Sequence, residues 1–180
     1  MDIRELLDEK RAVFELENEI QRNTQEVFDY IKDLTNQLCA GQPDAILNLE
    51  GNTISVAAYN SMLGATKIED VSILRDSDLI PESGIEALEE TTNWKKVALQ
   101  EGRNEYITGL IVFESKHDSL GIEQEIGRLY VNKDKKITFK GLVGGNRIEI
   151  IEPNEIDARL PEILQSCLED AFFEGCSYWA

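Results

Sequence analysis

Apolar residues recur every seven positions along the start of the chain, at Leu6, Val13, Ile20, Val27 and Leu34. Ile3, Leu7, Phe14, Leu16, Phe28, Ile31 and Leu38 flank this seam at helical spacing, and no Gly or Pro intervenes before Gly41 and Pro43. The spacing predicts a helix or a helix pair. Gly41 fits a left-handed cap, and Pro43 blocks continuation. The pattern leaves two forms open. One is a single helix of ~60 Å at the usual rise. The other is two helices broken near Asn23-Thr24, where polar residues interrupt the seam and Asn23 would cap the second. Both forms predict helix through at least residues 11–38, with Val13, Ile20, Val27 and Leu34 partly buried. A straight helix of this length outruns the domain behind it. Residues 24–38 are therefore assigned to the protein's own core and residues 3–20 to a contact with another subunit.

The period then shortens. Residues 45–50 and 53–59 read as strands joined across Gly51-Asn52, a common two-residue hairpin signal. Residues 61–82 are less regular: a short strand around Val71 to Leu74, then an acidic loop with Asp76, Asp78 and Pro81. Ser83-Gly84-Ile85-Glu86 matches a capping box, which predicts a short helix with Ile85 and Leu88 on one face. From Trp94 the alternation suggests strands at 94–100 and 105–115, a hairpin around Gly102. Ile107 to Phe113 is apolar on both faces, as in a central strand. Residues 123–132 and 136–143 form the next hairpin across Lys133-Asp134-Lys135, and Gly144-Gly145-Asn146 turns the chain into 147–151. These add up to a meander of about five strands. After Pro153, the stripe Ile156, Leu160, Ile163, Leu164, Cys167, Leu168, Ala171 and Phe172 marks a final amphipathic helix, which Gly175 stops.

The expected fold is α+β. It has a long N-terminal helix or helix pair, a mainly antiparallel meander, and a C-terminal amphipathic helix packed on the sheet. Residues 1–42 form the N-terminal helical segment and residues 43–180 the α+β domain.

Charge narrows the partner. The formal net charge is -17 in 180 residues. Acidic residues outnumber basic ones 10 to 5 over residues 1–42, 8 to 1 over 68–90 and 6 to 1 over 153–180, whereas 94–152 holds 9 against 10. Such a surface repels nucleic acid and anionic lipid and favours a partner with a basic surface. No apolar run is long enough to span a bilayer, and Asp2, Glu5, Asp8 and Glu9 do not resemble a secretory leader. Three cysteines, Cys39, Cys167 and Cys176, with no C-x-x-C and a lone histidine, argue against a zinc site or a disulfide framework. A reducing cytoplasm is the expected location.

Motifs that carry chemistry fail on spacing. Lys116-His117-Asp118-Ser119 holds the residue types of a hydrolytic triad, but adjacent residues do not assemble one, so it reads as a polar turn. Asp76-Ser77-Asp78 begins like a calcium loop, yet Ile80, Pro81 and Ala87 occupy positions that need an oxygen ligand, a Gly and a Glu. The glycines at 141, 144 and 145 lie between strands, whereas a phosphate cradle opens a helix. No catalytic residue, cofactor or metal ligand is assigned.

By elimination, the chain is expected to be a non-enzymatic, acidic protein-binding module acting on a basic macromolecule. It would serve as an adaptor, chaperone or inhibitor, and one version mimics nucleic acid. The order helix–strands–helix–strands–helix resembles that of small acidic binding folds, bacterial secretion chaperones and some toxin-immunity proteins among them. The likeness is one of architecture and charge. Two alternatives stand beside it: a structural subunit that oligomerises through the N-terminal helix, and a carboxylate-based, metal-assisted enzyme. The residues assigned to partner binding are Asp76, Asp78, Glu82, Glu86, Glu89 and Glu90 in the acidic segment, Leu6 and Val13 on the helix, and Trp179 in the tail.

Overall fold

A computed structural model describes residues 2–74, 92–117 and 122–174. Helix α1 runs unbroken from Ile3 to Cys39. Strands β1 (Ala45–Glu50), β2 (Thr53–Ala58) and β3 (Ser61–Ile73) follow. Helix α2 (Trp94–Gln100) precedes β4 (Ile107–His117), β5 (Ile122–Val131), β6 (Ile137–Gly141) and β7 (Arg147–Ile151). Helix α3 (Ile156–Glu169) comes last and widens into a π-type turn at Asp170–Glu174. All seven strands form one antiparallel sheet in the order of the chain.

Both long helices pack on one face of this sheet. Val27, Phe28 and Ile31 of α1 share a core with Leu160, Ile163, Leu164 and Cys167 of α3. Ile54, Leu63, Ile111, Phe113, Leu129, Ile137 and Phe139 supply its floor. Leu168 and Phe172 lie half-buried against it, so the stripe of α3 faces the sheet as its spacing predicts. Phe113 and Phe139 meet edge to face at 6.3 Å, the arrangement that ring quadrupoles favour.

The break considered near Asn23 does not occur. Asn23 and Thr24 are buried at the point where α1 touches the sheet, and each finds a polar partner there. Asn23 Nδ2 donates to the carbonyls of Lys133 (2.8 Å) and Asn132 (3.3 Å) in the β5–β6 turn. Thr24 Oγ1 donates to Ile20 O at 2.7 Å. Gly109 of β4 has no side chain to hold the helix off. A Cβ built there would lie 1.9 Å from Thr24 Oγ1. Asn23 is therefore a docking point satisfied by tertiary contacts, and Thr24 is satisfied within its own helix while it packs against Gly109.

Three other expectations change. Residues 94–100 form α2 and not a strand, because Trp94, Val97 and Ala98 at helical spacing pack on α1. Among the described residues the meander has seven strands where about five were expected: 94–100 drops out, and the first hairpin and β3 join the same sheet. And β3 is one strand of 13 residues; its pairing with β4 carries it through Glu69 and Asp70 by a register shift between Ile68 and Ser72. With 94–100 helical, Gly102 (φ 69°) follows the end of α2 and does not turn a hairpin, whereas the turns at Gly51 and Gly144-Gly145 behave as expected. Gly51 has φ 59°, and Gly144 and Gly145 have φ 75° and 104°, values that favour glycine. The capping box at 83–86, the acidic loop and the Gly175 stop lie outside the described residues.

Candidate interaction surface

α1 is a helix of two halves. From Leu16 onward its seam is buried at Leu16, Ile20, Val27, Phe28 and Ile31. Leu16 and Ile20 join a second core with Val71, Ile73, Leu74, Ala98, Ile107 and Tyr130, so the intermolecular role expected for residues 3–20 does not extend to them. Before Leu16 the picture reverses. Ile3 (73%), Leu6 (51%), Leu7 (55%) and Phe14 (63%) are exposed, on about three turns of helix that project past the sheet. Asp2 caps this end, its carboxylate accepting from Arg4 N at 2.8 Å.

Helix α2 braces the projecting turns from one side. Lys95 Nζ pairs with Glu17 at 2.8 Å. Lys96 Nζ approaches Glu9 Oε2 to 2.7 Å at an angle outside hydrogen-bonding geometry, so that contact is an ion pair. Gln100 Nε2 donates to Glu9 Oε1 at 3.0 Å. Between the helices lies a cleft of about 410 Å³. Leu6, Val13 and Trp94 give it apolar walls, and Lys10, Lys95 and Lys96 line it alongside Glu9. Its polar and apolar groups suit an amphipathic ligand.

The sequence-assigned residues Leu6 and Val13 are thus brought together on one cleft. Leu6 is exposed, and Val13 is half-buried. Asp76, Asp78, Glu82, Glu86, Glu89, Glu90 and Trp179 lie outside the described residues. Trp94, Lys95 and Lys96 were missed as a site because the segment was read as a strand. The spacing of Trp94, Val97 and Ala98 behind Asn93 was the available signal.

The outward face of α1 is acidic. Glu5, Asp8, Glu15, Glu19, Glu26, Asp29 and Asp33 are all exposed. Arg11 and Lys32 pair with Asp8 (3.6 Å) and Asp29 (3.9 Å) at i,i+3 spacing, contacts worth little in water. A hydrogen bond from the Lys135 ammonium (2.8 Å), and then its charge, hold the Glu26 carboxyl below the usual glutamate value.

Chemistry elsewhere stays unassembled. Among the described residues, no group of three or more His, Cys, Asp or Glu side chains is placed to hold a metal ion. No described helix is long and apolar enough to cross a membrane. His117 closes β4, in register with Ser61 of β3 and Ile122 of β5; Asp118 and Ser119 lie outside the described residues. Burial pushes the Cys167 thiol far up, and that of Cys39 up as well, the opposite of nucleophile activation. No family model, no curated protein and no solved structure matches the chain.

Proposed function

We propose that this chain is a protein-binding module without catalytic activity of its own. Its partner docks a basic, amphipathic segment along the projecting end of α1, beside the cleft with α2, where Lys95 and Lys96 are already paired with Glu17 and Glu9. One observation carries the reading. Ile3, Leu6, Leu7 and Phe14 keep 51–73% of their surface in water, while the later turns of the same helix are locked in the core. A contiguous apolar patch rimmed by polar residues is the usual mark of an interaction surface. Ile3, Leu6 and Leu7 sit at the i, i+3 and i+4 positions of helix-in-groove anchors, with Lys10 at i+7 and Phe14 one heptad after Leu7. The sign of the partner follows from charge: the exposed acids of α1 and the net charge of -17 repel an acidic protein and attract a basic one.

Trp94 supplies the assay, since it lines the cleft. With Trp179 changed to Phe, its emission reports binding alone. Two synthetic helical peptides of equal apolar content, one with Lys and one with Glu on the polar face, are titrated in turn. The basic peptide should shift Trp94 emission saturably, with affinity that falls as salt rises. The double variant Leu7→Ser/Phe14→Ser should lose that response and keep its urea midpoint, because both residues are exposed. Binding of neither peptide, or of the acidic one alone, would overturn the proposal.

A further inference from the structure

Charge is sparse along one stretch of the chain. Between Leu34 and Thr66 only Asp44 and Glu50 are charged, in a chain where 29% of residues are. This stretch is the last turn of α1, strands β1 and β2, and the first half of β3. Its outermost member, β1, pairs only with β2, and no strand lies beyond it among the described residues.

Edges of sheets are usually guarded by charges, bulges or proline. The opposite edge, β7, follows that rule. Glu149 is held by Arg159 (3.2 Å) and Arg147 (3.7 Å), and Arg147 also donates to Ser166 Oγ at 3.0 Å. β1 is guarded only at its ends, by Pro43 and Asp44 before it and Glu50 at its close. Its register with β2 is regular and continuous, and the segment Ala45-Ile-Leu-Asn-Leu-Glu50 contains no Lys, Arg or Pro. Ile46 is 71% exposed and Leu49 41%, and Leu38 of α1 is also exposed. Tyr59, at the β2–β3 turn, is 86% exposed and held at φ 55°. A bulky residue in that region is strained, and its hydroxyl reaches only Asp44, at 3.4 Å.

We propose that β1 is a self-pairing edge: two copies of this chain join antiparallel along β1 to form one continuous sheet. Hydrogen-bond geometry sets the register. In a hairpin with a two-residue loop, the flanking pair Glu50–Thr53 is hydrogen-bonded, so by alternation Leu47 and Leu49 direct their N–H and C=O away from β2. The N–H of Ala45 is already given to Gln42 O. A two-fold axis at Asn48 sets Leu47 of each copy opposite Leu49 of the other and uses both outward residues reciprocally, as an isologous contact requires. A second copy is the occupant that the charge favours. Two chains of charge -17 repel wherever their acidic faces meet, and this stretch is where the repulsion is least. The contact is smaller than the ~1,600 Å² of a standard stable complex, so the dimer is weak and depends on concentration. It is independent of the docking proposed for α1.

Sedimentation equilibrium of the full chain, from low to high micromolar and in rising salt, tests this. The mass should climb from 20.4 kDa towards twice that, and more readily at high salt, because salt screens repulsion. Binding to a basic partner has the opposite salt trend. Ile46→Lys/Asn48→Lys places lysines on the exposed edge and should keep the chain at its monomer mass with an unchanged urea midpoint. Independently, Asn48→Cys in a Cys39→Ser/Cys176→Ser background should yield a disulfide dimer on mild oxidation, since residues at the axis sit ~4.5 Å apart at a non-hydrogen-bonded pair. A wild-type chain that stays monomeric at the highest concentration and salt would refute the pairing. So would undiminished association of the lysine variant, or loss of the dimer on Leu7→Ser/Phe14→Ser instead.

Discussion

Replacing Gly109 with Ala tests how α1 is seated. The φ of Gly109 is not in the positive range, so alanine fits the backbone and by itself would stabilise by ~0.4–1 kcal/mol through the unfolded chain. Sterics oppose this. The added methyl would stand 1.9 Å from Thr24 Oγ1, 2.8 Å from its Cβ and 2.9 Å from its Cγ2. Two of these three atoms leave with Thr24→Ala; the Cβ stays. Relief of the full overlap needs α1 to lift off the sheet by more than an ångström, which also pulls on the bonds from Asn23 to the β5–β6 turn. Overpacking of this kind costs ~1–3 kcal/mol, and the upper part of that range applies because the obstacle is a helix anchored on both sides of the contact. In a domain of this size that is ~2–4 °C of melting temperature per kcal/mol. The assay is urea unfolding by far-UV circular dichroism for wild type, Gly109→Ala, Thr24→Ala and the double variant. The double variant should lose about 1 kcal/mol less than the sum of the singles, the coupling expected of residues in contact. Additivity within error, or a loss below half a kcal/mol for Gly109→Ala, would mean that α1 does not rest on Gly109.

Other consequences are simpler to read. Leu164→Ala empties a fully packed site under α3 and should cost ~2–5 kcal/mol in the same urea assay. Asn23→Ala removes the side chain that satisfies two turn carbonyls and should cost ~1–3 kcal/mol. A carboxyl-detected NMR titration should place Glu26 below the ordinary glutamate range. Because its folded value is depressed, its contribution is present above the unfolded value and fades as pH falls through the folded one; Lys135→Met should restore the ordinary midpoint. Native alkylation should spare Cys167 until the chain unfolds, and mass spectrometry of peptides from native and urea-treated samples checks this. Asp76→Asn/Asp78→Asn/Glu82→Gln reduces the net negative charge by three and should slow association with the basic peptide and flatten its salt dependence.

The sequence alone determined what depends on local spacing. The seven-residue seam of α1, the three-and-four stripe of α3, the Gly51-Asn52 and Gly144-Gly145 turns and the β5–β6 hairpin were all legible, because side-chain period and backbone φ are set within a few residues. The cleft was legible only through Leu6 and Val13; its other wall, Trp94 to Lys96, was read as strand, since a seven-residue segment fits either period until a neighbour selects one. Tertiary structure alone decided the continuity of α1. Asn23 and Thr24 look like a break when the chain is read in isolation, and become an anchor once the carbonyls of Asn132 and Lys133 and the bare backbone of Gly109 are brought beneath them. Likewise, pairing with β4 held β3 extended through Glu69 and Asp70, residues with little strand preference of their own. The charge gap from Leu34 to Thr66 was in the sequence throughout, but it gained meaning only when the fold placed it along an open edge. Long-range pairing chooses which polar groups are satisfied and which edges stay free, and neither choice is encoded within a local window.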